Sequence, residues 1–193
     1  HRLDRDTSGV IMVAKKRSAL LAMHKALQNN QMNKEYLALV HGRWRDSCKQ
    51  VDAPLRKNEL RSGERVVRVS DEGKASLTQY RVNSAFVDYT LVRAKPITGR
   101  THQIRVHLKS IQLPIICDAL YGREKQMTLS DLKGRKNQKD EQPILQRHAL
   151  HAVNLKVLHP ITREPMEFEC PLPEDMKTIY DMEEFQSYDE MNK

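Results

Sequence analysis

At 193 residues, 39% hydrophobic and 30% charged, the chain is long enough for one core but has no apolar run near the ~18 residues of a membrane span. Lys and Arg number 33 against 25 Asp and Glu, and this +8 balance points to nucleic acid ahead of charge that serves solubility alone. The three cysteines, Cys48, Cys117 and Cys170, form no CxxC pair, so their spacing excludes a cysteine zinc site or dithiol centre and reads as reduced thiols in a cytoplasmic protein.

Residues 1–9 read as a polar loop, with no signal-peptide pattern. A chain opening at His1 without Met is expected to be a fragment or a processed product. Residues 10–16 form a short apolar run, read as a buried strand. Ser18 is placed to cap a helix to about Leu27, with Leu20, Leu21, Met23, His24 and Leu27 on one face and Asn29-Asn30 as its stop.

Strand character returns at 35–44. Residues 64–70 and 76–83 read as strands flanking a turn at Asp71-Glu72-Gly73, and 89–95 as a strand ended by Pro96. Thr101 is placed to open a helix through Ser110, after a Thr98-Gly99-Arg100 turn. Residues 123–142 are dense in charge and read as a surface loop. Strands are expected at 148–158 and 164–169, then a helix after Pro173, with the last ten residues frayed. The pattern predicts an α+β domain on a mostly antiparallel sheet.

Two polar clusters stand out. In the first, His1-Arg2-Leu3-Asp4-Arg5-Asp6-Thr7-Ser8-Gly9, carboxylates and guanidiniums crowd the approach to a strand. It is either a solvated turn or a site held by a rigid scaffold. Asp6-Thr7-Ser8-Gly9 fails as an aspartic-protease turn, since that chemistry needs a second such turn to share one proton. The second cluster is Gly99-Arg100-Thr101-His102-Gln103-Ile104-Arg105-Val106-His107. On a helix, His102 and Arg105 share a face, as do Gln103 and His107. The histidines lack HExxH spacing, so metal binding is disfavoured. Arg105 reads as an anchor for a carboxylate or as a plain surface arginine. Tyr36 begins an alternating run and reads as core or as a stacking platform for a base. No GxGxxG, Walker or GxSxG motif is present.

The first cluster closely resembles the signature of RluA-class pseudouridine synthases. Lys34-Glu35-Tyr36-Leu37-Ala38, the 99–107 cluster and Leu150-His151-Ala152 with His159-Pro160 are similar to further segments of that class, in the same order. Residues 53–58, 62–65 and 67–70 resemble the RluC branch, whose members modify large-subunit ribosomal RNA in bacteria. The resemblance implies the pseudouridine synthase catalytic fold with a central RNA-binding cleft. It implies that Asp4 is the catalytic carboxylate, that Tyr36 packs on the target uracil and assists proton transfer, and that Arg105 pairs with Asp4. Arg2 matches an arginine that enters the RNA as the base leaves its stack. Arg5, Arg100 and His102 are expected to bind substrate, His102 without an assigned step. The whole chain, 1–193, is expected to be one catalytic domain and a monomer, with the strands before the signature and an S4-like RNA-binding domain outside it.

The implied isomerisation breaks N1–C1′, turns the uracil and rejoins it through C5, with no redox change or hydrolysis and so no expected metal or organic cofactor. An ionised Asp4 would attack C1′ or remove a C2′ proton. The alternatives are a non-catalytic RNA-binding or ribosome-assembly module of the same fold, and a nucleoside hydrolase or glycosylase.

Overall fold

The fold follows from where apolar runs are continuous and where they alternate. The computed structural model, which describes residues 1–44, 48–59, 65–134 and 141–191, places β2 (Asn33–His41) inside a sheet. Residues 37–40 of this strand are all buried, as a strand covered on both faces requires. β7 (Tyr89–Pro96) and β8 (Leu150–Leu158) flank it, both antiparallel. Beyond β7 come β6 (Leu77–Ala85) and β3 (Cys48–Asp52). The outer edge of β8 is shared, with β1 (Ser8–Gly9) parallel to its start and β9 (Pro165–Glu169) antiparallel to its end. A separate hairpin joins β4 (Leu55–Glu59) to β5 (Arg65–Val69).

Helix α2 (Gln103–Ser110) is buried from Gln103 to Leu108 and packs on β5, β6 and β7. Its buried polar groups have partners: Gln103 donates to Thr78 Oγ1 at 2.9 Å, and His107 Nδ1 lies 2.9 Å from the same hydroxyl. Thus Gln103 and His107 do share a face. α4 (Glu174–Met191) buries Met176 and Ile179 in the main core. α1 (Arg17–Gln28) packs through Met23 and Ala26 on Leu155 and Val157 of β8. The α+β reading with a mostly antiparallel sheet holds.

Several local expectations do not. Residues 10–16 are not a buried strand: only Ser8 and Gly9 pair with β8, because β9 takes the rest of that edge. Val10 and Met12 pack inward, while Ile11 and Val13 are exposed. α1 begins at Arg17 after Lys16, with no side-chain cap from Ser18, and Leu20 and Leu21 face outward. α2 begins after His102 rather than at Thr101, since Gln103 Oε1 accepts the Arg100 N–H and the Thr98 hydroxyl. The strands either side of Asp71-Glu72-Gly73 fall in different sheets. The polar run at 123–142 contains α3 (Leu129–Leu132), closed by a Thr128–Asp131 capping box, and it buries Met127 and Leu132. α4 continues to Met191, with no Gly or Pro to end it earlier. Residues 60–64, with Ser62, Gly63 and Glu64 of the resemblance, and 135–140 of the polar run lie outside the described residues.

Candidate active site

The site begins with a turn that the sheet holds in place. The Thr7 N–H donates to the Asp4 carbonyl at 3.1 Å, and Asp6 takes a left-handed conformation at φ 70°. Gly9 then meets β8 so closely that a Cβ would lie 2.2 Å from the Ala152 carbonyl oxygen, at a φ of +109°. Only glycine fits both the space and the conformation. Three side chains from β8 and the segment before it grip the turn. Arg147 donates to the Asp6 carbonyl and is held bidentately by Asp175. His148 Nε2 lies 2.7 Å from Thr7 Oγ1. His151 donates from Nε2 to the Cys170 carbonyl, so its Nδ1 accepts from the Ser8 hydroxyl at 2.9 Å.

Asp4, at the head of this turn, faces Arg105 from α2, with an Arg105 NH1 to Asp4 Oδ2 distance of 3.5 Å. The main partner of the guanidinium is a different carboxylate. Nε and NH2 donate to Asp118 at 2.7 and 2.8 Å, a bidentate geometry of the stronger kind. Burial opposes the charge on Arg105, but the hydrogen bonds and charge of Asp118, with the charge of Asp4, hold its pKa above the ordinary value. Burial would likewise raise Asp118, and the hydrogen bonds and charge of Arg105 bring it below the usual carboxylate range instead. Asp118 also accepts the Leu120 and Tyr121 backbone N–H groups. The bidentate anchor expected of Arg105 therefore exists, but on Asp118.

Tyr36 reaches the site because of a β-bulge. The β2–β8 register shifts between Glu35 and Tyr36, the kind of irregularity that re-aims a side chain. Its cross-strand neighbours, Ala94 and Ala152, leave room for the ring. Burial first, then the negative charge of Asp4, push the Tyr36 phenol up to about 12. At neutral pH the ring is uncharged and its hydroxyl keeps its proton.

Asp4, Tyr36, Arg105, Arg2, Arg100 and His102 line one cleft of about 640 Å³. Arg2 and Arg100 are exposed at this cleft, whereas Arg5 points to solvent and does not line it. His102 is itself in the left-handed region, at φ 53°, a strain that scaffolds carry mostly at functional sites. Its Nδ1 lies 2.8 Å from the Tyr121 hydroxyl, and the Tyr121 ring sits 5.0 Å beneath the Arg105 guanidinium. Burial foremost pulls His102 below its ordinary pKa; Arg105 and Arg2 add to this, while Asp4 and Asp118 oppose it. Among the described residues no group of three His, Cys, Asp or Glu is arranged to hold a metal, and no helix is long and apolar enough to cross a membrane.

Sequence reasoning missed Asp118, Tyr121, Arg147 and His148, and gave His151 no role. The one signal for the first pair was Asp118 and Tyr121 at a spacing of three in a stretch bounded by Gly122, which reads equally as an ordinary turn.

A carboxylate held beside a guanidinium and a neutral phenol, in a cleft with a basic mouth, suits work on a sugar and a flat base. A sequence model described as RNA pseudouridylate synthase matches residues 1–110. The chain is 51% identical over 178 residues to the ribosomal large subunit pseudouridine synthase C of Escherichia coli (strain K12), covering 92% of this chain and 53% of that protein. It is 48% identical to the protein of the same name from Pasteurella multocida (strain Pm70), covering 93% of this chain and 52% of that one. The chain thus spans about half the length of the curated relatives it matches. Among solved structures, human RNA pseudouridylate synthase domain containing 4 superposes with a TM-score of 0.73 at 27% identity, over 94% of this chain and 73% of that one. The human domain-containing protein 1 gives 0.69 at 28% identity, over 89% and 67%.

Proposed function

The chain belongs to the RNA pseudouridylate synthase family, and from that premise we propose that it is the catalytic domain of a cytoplasmic enzyme that isomerises uridine to pseudouridine in RNA, with Asp4 as its catalytic carboxylate. The substrate we assign is bacterial large-subunit ribosomal RNA, after the names of the relatives. The observation that carries the reading is the facing set of Asp4, Arg105 and Tyr36 in one cleft, with Arg105 fixed from behind by Asp118.

The residues divide the work. Breaking N1–C1′ leaves the bonding pair on uracil and electron demand at C1′. An ionised Asp4 meets that demand by bonding to C1′ or by taking the C2′ proton. The base turns and C5 bonds to C1′ as the Asp4 carboxylate leaves that carbon or as C2′ takes its proton back; the C5 proton then leaves and N1 takes one up. Arg105 faces Asp4 at 3.5 Å and holds its orientation. Flipping a base costs a few kcal/mol, and stacking on an aromatic ring returns ~1–3 kcal/mol, so Tyr36 offsets much of that cost. Arg2 at the cleft mouth is placed to fill the gap in the RNA, and Arg100 to hold phosphate.

The test is tritium release from large-subunit ribosomal RNA carrying 5-³H-uridine, comparing the full-length protein with its Asp4→Asn variant. Release as water by the parent alone, with no free uracil, supports the isomerase. Free uracil would make it a glycosylase, and silence on a well-bound RNA would make it a binding module.

A further inference from the structure

We infer that His102 is a substrate-contacting residue, a neutral imidazole locked with its proton on Nε2 so that it donates a hydrogen bond to a carbonyl oxygen of the flipped uracil. The inference rests on the isomerase reading and adds a group to its chemistry.

The lock is visible in one hydroxyl. The Tyr121 oxygen accepts the Val67 N–H at 2.9 Å and lies 2.8 Å from His102 Nδ1. Tyr121 is 4% exposed, and burial foremost holds its phenol above the ordinary pKa, so it keeps its proton. A phenol has one proton to give. If His102 Nδ1 carried the ring proton, the Tyr121 oxygen would accept twice and its own O–H would be buried without a partner, a costly arrangement. The assignment that satisfies all three groups has Val67 donating to Tyr121 and Tyr121 donating to Nδ1. The ring proton then sits on Nε2, which has no protein partner among the described residues, and the ring lines the cleft with Asp4 and Tyr36.

A neutral donor suits one part of the substrate. The phosphates have Arg100, the gap in the RNA has Arg2, and the ribose carbon must face Asp4. When N1–C1′ breaks, its electron pair spreads over the uracil onto O2 and O4, so an N–H fixed beforehand at one of these oxygens stabilises charge as it develops. A charged imidazolium there would instead surrender its proton or pair with Asp4. Tyr121 acts through His102 and is a positioning residue.

The test uses the full-length protein with His102→Asn, which tolerates the left-handed backbone but shortens the donor, and with Tyr121→Phe. Nitrogen NMR of the parent at pH 7 is expected to show His102 neutral with the proton on Nε2. Tyr121→Phe should mix in the other tautomer. An Nδ1-protonated or charged ring in the parent would overturn the inference, whatever the turnover.

The second arm measures single-turnover rates on ribosomal RNA transcribed with 2-thiouridine or 4-thiouridine in place of uridine. His102→Asn should slow ordinary RNA by about 100-fold, the size expected for one lost donor at a developing charge, with Kd little changed. One of the two sulfur substitutions should slow the parent, and most of that penalty should vanish in His102→Asn. Any effect of sulfur on RNA structure falls equally on both enzymes, so fully additive penalties would remove the base contact. In that case turnover by the parent leaves the isomerase reading intact. Absence of turnover in the parent removes that reading, and the substrate contact with it.

Discussion

A guanidinium has five donors and can serve two carboxylates at once, and Arg105 divides them unequally. Two short bonds go to Asp118 and one long contact to Asp4. The two aspartates should therefore fail in opposite ways. Asp118→Asn uncouples a fully buried pair, and breaking such a pair by removing one partner costs about 3–5 kcal/mol. Denaturant unfolding should register a loss of that order, and turnover should fall as Arg105 loses its aim. Asp4→Asn should barely move the unfolding midpoint while abolishing turnover. If Asp4→Asn proved the more destabilising of the two, Asp4 would be a structural partner and the catalytic assignment would fall. Tyr36→Phe keeps the stacking ring and removes only the hydroxyl. RNA binding should hold and the chemical step should slow; an unchanged step would leave Tyr36 as a stacking platform alone.

His148 carries a pH dependence with a definite sign. Burial foremost, with the Arg105 charge, pushes it down to about 4, against opposition from Asp118, Asp4 and Asp6. Its unfolded value is near 6.5. Above that both states are neutral there and His148 adds no slope. As pH falls from about 6.5 towards 4, the unfolded chain takes up a proton that the folded one refuses, and stability is lost. From pH 7.5 to pH 5 this amounts to about 2 kcal/mol for His148. His107 and His151 are also lowered by burial, so the comparison must be by difference. His148→Gln should lose less stability than the parent over that interval in urea titrations, and equal losses would remove His148 as the source.

At the scale of elements, the turn that carries Asp4 is held by very little sheet. β1 contributes two residues, the Val10 N–H adds a bond to the Ala152 carbonyl, and Arg147, His148 and His151 grip the turn through their side chains. Gly9→Ala puts a Cβ into the Ala152 backbone at a positive φ, and overpacking with backbone strain together should cost at least about 3 kcal/mol. A stable, active Gly9→Ala protein would mean that the turn is not pinned at this crossing. The same crossing explains why the sequence misled at residues 10–16. Alternating burial without a partner strand produces the same apolar run as a strand, and only the position of β9 decides whether the edge is free. β2, β7 and β8 were legible because their apolar runs are bounded by turn residues, and β9 because Met166 and Phe168 alternate with glutamates. β3 and β4 were not, since Cys48–Asp52 and Leu55–Glu59 are mostly polar and are sorted by their partners. In the site, Asp4, Tyr36 and Arg105 were legible through motifs. Asp118 was not, because an aspartate in a turn reads as solvated until Arg105 is found against it.

For the whole molecule, the surplus of cations has a location as well as a count. Arg56, Lys57 and Arg68 are exposed on the β4–β5 hairpin, and Arg56 and Arg68 are direct cross-strand partners. Like charges placed opposite each other cost stability, and the exposed ion pair from Arg56 to Glu72 offsets little of it. Tyr121 ties this hairpin to the cleft, since its hydroxyl holds the Val67 N–H on one side and His102 on the other. Under the proposed function, an RNA seated at Asp4 would have a basic arm beside it, and a polyanion would account for the hairpin's charge. Each phosphate neutralised on a single strand contributes ~0.7 to the slope of log affinity against log salt. Replacing Arg56, Lys57 and Arg68 together by Gln should flatten that slope by about 2. The same triple change should leave folding stability unchanged or slightly raised, because the Arg56–Arg68 repulsion is gone. A lost slope with retained stability makes the hairpin an RNA arm. An unaltered slope would return its charge to solubility and leave Arg100 at the cleft to hold phosphate.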